Sequence, residues 1–67
     1  MEPSEIFELI IKADERLKYS TEKTAALRRE QAVELLVQAR DAARETGNEQ
    51  LVQQAETRLA DLKAEGG

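Results

Sequence analysis

Four carboxylates, Glu30, Glu34, Asp41 and Glu45, fall on one side of a single helical stretch, with Glu34 about one turn after Glu30. Acids at such spacing are raw material for a di-metal centre. Helical centres of that kind draw several inward carboxylates together, usually with histidines at Glu-x-x-His spacing. The chain has no histidine and no cysteine, and the four acids point away from the apolar face of their helix. They read as a solvated face. The missing histidine also removes the commonest general base and the switch that titrates near neutrality. Ser4 and Ser20 have no histidine or lysine arranged to activate a hydroxyl. Neither stands in the Asp-Ser-Leu context that carrier domains use at a helix start. The expectation is a non-enzymatic chain with no cofactor and no metal.

Two other sets of residues can act by binding. Arg40 sits at the border of an apolar arc beside Val33, Leu36 and Val37, and Arg29 and Arg44 extend the same stripe. Their stems can cover apolar surface while their heads reach acids such as Asp14 or Glu15 on the first helix. Alternatively, the stripe takes an acidic partner segment or a phosphate, an interaction that salt would weaken. Phe7 and Ile11 form the second set. They lie about 100° round the first helix from its main apolar line. Either they pack under the third helix and close the core, or they form an exposed patch for dimerisation or for a partner helix. Tyr19, at the helix end on a polar side, is expected at the surface.

Composition narrows the partners. The net charge is −4, with acids and bases interspersed, where a nucleic-acid binder or an anionic-membrane binder would carry a basic patch. One Phe, one Tyr and no Trp leave little to stack on bases. The longest apolar run is Leu9-Ile10-Ile11, far short of the roughly 18–20 residues of a bilayer span. The start, Met-Glu-Pro-Ser-Glu, lacks the basic segment of a signal peptide. The partner is therefore expected to be another protein or a second copy of the chain, in the cytoplasm.

The elements that position these residues are helices. Sixty-seven residues make one domain, residues 1–67, and a chain of this size is marginal without a well-packed interface or an oligomer. The first helix is expected over about residues 4–19, with Ile6, Leu9, Ile10, Ala13 and Leu17 recurring at helical spacing. Pro3 is acceptable at its first position, and Ser4 is an alternative cap. The polar stretch from Lys18 to Thr24 has no Gly or Pro, so a break near residue 20 and a continuous helix are both open. The second helix, about residues 22–46, has Ala25, Ala32, Leu36, Ala39 and Ala43 along its centre, flanked by Leu35 and Ala42 on one side and Val33 and Val37 on the other. An apolar arc that wide belongs between two neighbours. Arg28 and Arg29 straddle the same line, so the beginning of this helix is expected to be shallowly buried. Gly47 suits the left-handed residue that ends a helix, and Asn48 suits an N-cap. The third helix follows over about residues 48–64, with a stripe of Leu51, Ala55, Leu59 and Leu62 and a frayed end at Glu65-Gly66-Gly67.

Ala32, Leu36 and Ala39 follow the small, large, small order of the second helix of a tetratricopeptide-type repeat. Gly47-Asn48, then Leu51 and Ala55, fit the turn and the first helix of a following repeat. Residues 31–62 thus resemble a tetratricopeptide-like helical hairpin. The first helix departs from that pattern, because it lacks the family's aromatic and glycine. The resemblance implies an antiparallel hairpin and a surface for peptides or assembled partners. The full expectation is an all-α three-helix bundle, with helix two longest and central. It is expected to serve as a small protein–protein interaction module, or alternatively as a self-associating, dimeric structural or regulatory subunit.

Overall fold

The computed structural model describes residues 1–66 and contains three helices, α1 (Pro3–Lys18), α2 (Ala25–Glu45) and α3 (Glu49–Gly66). The backbone expected to fray is helical as far as Gly66, and Gly67 lies outside the described residues. With 21 residues, against 16 in α1 and 18 in α3, α2 is the longest helix. It packs along both of the others, while α1 and α3 touch each other far less. The chain is an all-α three-helix bundle with α2 at its centre.

Local chemistry sets the boundaries. Pro3 opens α1, where its missing N–H costs nothing. The Glu5 carboxylate accepts the Glu2 N–H at 3.2 Å, so Glu2 occupies the cap position in place of Ser4. The break near residue 20 is real, and it is built from threonines. The Thr21 N–H donates to Thr24 Oγ1 at 2.9 Å, and the Thr24 N–H donates to Thr21 Oγ1 at 3.3 Å. This reciprocal pair closes a separate turn, so α2 starts at Ala25, three residues later than the expected residue 22. The Ser20 hydroxyl donates to the Leu17 carbonyl at 2.9 Å and helps to finish α1.

The turn between α2 and α3 is a Schellman motif. The Asn48 N–H reaches the Ala43 carbonyl at 2.8 Å, and the Gly47 N–H reaches that of Arg44 at 3.1 Å. Gly47 has φ +72°, the left-handed region. Asn48 Oδ1 then accepts the Leu51 N–H at 3.2 Å and caps α3. A Cβ at Gly47 would meet nothing within 4 Å, so only the backbone conformation opposes a side chain there. Gly47→Ala is expected to destabilise by about 1 kcal/mol. That lowers the midpoint of a thermal melt by about 4–8 °C, and an unchanged melt would contradict the left-handed cap.

The core is made of Ile6, Ile10 and Ala13 from α1, Ala32, Leu36, Ala39, Ala42 and Ala43 from α2, and Leu51, Ala55 and Leu62 from α3. Leu9, Leu17, Val33, Leu35, Val52 and Leu59 pack at its edge. The alanines of α2 let both neighbouring backbones approach closely, which is how one helix serves two partners. Nothing on α2 before Ala32 is fully buried. Its first two turns therefore contribute surface more than core, as Arg28 and Arg29 imply.

Candidate functional site

The four acids of α2, Glu30, Glu34, Asp41 and Glu45, are all exposed. Among the described residues no group of three or more acidic side chains is placed to hold a metal ion. None of the helices is long and apolar enough to cross a membrane, again among the described residues.

The arginine stripe divides. By helical geometry Arg29, Arg40 and Arg44 lie within about 60° of one another round α2, yet they have different partners. Arg44 Nη2 donates to Glu56 Oε1 on α3 at 2.6 Å. Arg40 Nε donates to its neighbour Asp41 Oδ1 at 3.2 Å. Arg29 makes no ion pair among the described residues, and its Nε is buried without a hydrogen-bond partner. Neither Asp14 nor Glu15 receives any of the three heads. Asp14 is taken instead by Arg58 of α3, whose Nε lies 3.0 and 3.2 Å from its two oxygens. The expected pairing with α1 fails because the stripe lies on the α3 flank of α2, whereas Asp14 faces α3 directly. These pairs are solvent-accessible, and each contributes at most about 1 kcal/mol. They fix orientation more than stability.

Phe7 and Ile11 do not become part of the buried core. They are 45% and 41% exposed and lie about one turn apart on α1. The core line of α1 already meets α2 through Ile6, Ile10 and Ala13. The sparse contact between α1 and α3 fits the partial exposure of this second line.

A second open apolar surface lies at the start of α2, where Ala26, Leu27, Arg29, Glu30 and Val33 line a hollow of about 550 Å³. Leu27 is 55% exposed there. Sequence reasoning missed Leu27 because it lies well off the central apolar line of α2. Its signal was a large aliphatic residue on an otherwise polar side, next to the arginines that mark shallow burial. The chain matches no protein-family model, curated protein or solved structure.

Proposed function

We propose that the protein is a non-enzymatic, cytoplasmic protein–protein interaction module that binds through the exposed Phe7–Ile11 line of α1. The observation that carries this reading is the exposure of Phe7 and Ile11 together. A chain this small needs its large apolar side chains for its own core, and two of them at helical spacing are left on one face. An amphipathic partner helix laid along α1 would bury both, in the helix-against-groove mode that reads anchors at i and i+4. The tetratricopeptide-like character of residues 31–62 points the same way. Among the described residues, Arg29 alone of the α2 stripe keeps a head without an ion pair. It is the stripe's remaining point for an acidic group on a partner, next to the salt-linked Arg40 and Arg44.

The hollow on α2 favours a second reading, self-association. Leu27 and Val33 supply apolar surface, and Arg29 and Glu30 stand side by side at the rim. An antiparallel two-fold arrangement of two α2 helices would set Arg29 of one copy near Glu30 of the other, as an isologous interface requires.

Size-exclusion chromatography with light scattering, followed by affinity capture of partners, separates the two readings. Phe7→Ser and Ile11→Ser are expected to abolish partner capture while leaving the helical circular-dichroism spectrum intact. Capture that survives both substitutions rules out the α1 surface. A dimer that persists in both but is lost in Leu27→Glu selects the α2 surface instead.

A further inference from the structure

A hollow of about 410 Å³ lies between α1 and the start of α2, lined by Lys12, Glu15, Arg16, Tyr19 and Arg28. Lys12, Arg16 and Tyr19 follow one another at i, i+4 and i+7 on α1 and its C-cap, so they share one side of that helix. Arg28 arrives from the other helix. Three cations converge there in a chain whose net charge is −4. None of them is in an ion pair among the described residues. The pairs that exist there use Arg40, Arg44 and Arg58. Arg28 donates through Nη1 only to Gln31 Oε1, at a long 3.4 Å, and its Nε is buried without a partner. A buried, unpaired donor on a charged group is costly, and it marks an arginine whose charge no protein acid among the described residues neutralises.

We propose that this hollow binds a small soluble phosphomonoester. Its three cations and single carboxylate, Glu15, leave two positive charges in excess. A phosphomonoester carries about −1.5 to −2 near neutral pH, so the two nearly cancel. The volume is within the range of about 300–1,000 Å³ typical of small-molecule sites. It holds a phosphoryl group with a ring-sized substituent. The exposed Tyr19 ring supplies an apolar wall for that substituent, and Arg16 and Arg28 supply the planar donor forks suited to phosphate oxygens. The overall negative charge disfavours a long polyanion or an anionic bilayer, which would feel the whole molecule's field, more than a compact ligand held within one patch. Arg16 lies about 140° round α1 from Ile11, so this site is separate from the proposed partner surface, and either reading can fail without the other.

The test is a titration of the intact chain with phenyl phosphate at low ionic strength, read by amide chemical shifts. Saturable shifts confined to residues near Lys12, Arg16, Tyr19 and Arg28 are expected. Lys12→Gln and Arg16→Gln should each weaken the affinity by about fivefold or more, with unchanged circular dichroism, whereas Lys63→Gln on the exposed side of α3 should leave it unaltered. Both side chains are exposed, so neither variant endangers the fold. Shifts that never saturate, or equal weakening by Lys63→Gln, would mean general charge attraction and overturn the proposal. So would capture by phosphatidate vesicles without any response to phenyl phosphate.

Discussion

Leu36→Ala is expected to cost about 2–5 kcal/mol. Among the described residues the largest fully buried side chains are Leu36, Ile6 and Ile10. Leu36 sits on the helix that packs against both of the others, so removing its methyl groups leaves a cavity in the core. At about 0.05–0.15 kcal/mol per residue, a chain of 67 residues has about 3–10 kcal/mol of total stability. The substitution therefore removes a large part of it. A thermal melt followed by circular dichroism should show its midpoint lowered by at least about 8 °C, or no cooperative transition at all. A loss below about 1 kcal/mol would mean that Leu36 is not the centre of the core, because such a loss is typical of surface positions.

Ala39→Leu tests the opposite fault. Ala39 is fully buried on α2, in line with Ala32 and Ala43. Leucine is almost as good a helix former as alanine, so local propensity changes little, and the cost comes from volume. Three additional heavy atoms must enter a space that the close approach of the neighbouring helices has already filled. The expected loss is about 1–3 kcal/mol. The same replacement at Ala60, which is exposed on α3, should stay within about 0.5 kcal/mol. Equal stability of the two variants would show that α2 is not tightly packed at Ala39. The pair of measurements thus isolates packing from helix propensity, which a single substitution cannot do.

The two interhelical turns differ in how local their determinants are. Gly47-Asn48 was legible because only a few residues can end one helix in the left-handed region and start another at once. The turn at Thr21–Thr24 was less so. Threonine is common in many settings, and its role emerges only when two hydroxyls exchange bonds with each other's N–H groups. Residue types alone are equally compatible with a continuous helix near residue 20.

The binding surfaces divide in the same way. Phe7 and Ile11 were visible as a second apolar line on α1, but their exposure depends on how far α3 reaches across, and periodicity does not encode that distance. The arginines were visible as a stripe, but their partners depend on which helix flanks which side. Arg44 finds Glu56, and Arg58 takes the Asp14 that the stripe was expected to reach. Lys12, Arg16 and Tyr19 are in register on α1 and could be read from spacing, whereas Arg28 joins them only through the fold.

By itself, the sequence determined an all-helical chain, a central helix with alanines along its line, the glycine turn and the absence of histidine or cysteine chemistry, while leaving the break near residue 20 open. These follow from periodicity, propensity and composition, all of which act locally along the chain. Tertiary structure alone decided that α1 and α3 touch little, that Phe7, Ile11 and Leu27 remain partly exposed, and that three cations without an ion pair among the described residues share one hollow. Those outcomes depend on the rotation and offset of one helix against another, which are set by the sum of many side-chain contacts and by no single residue.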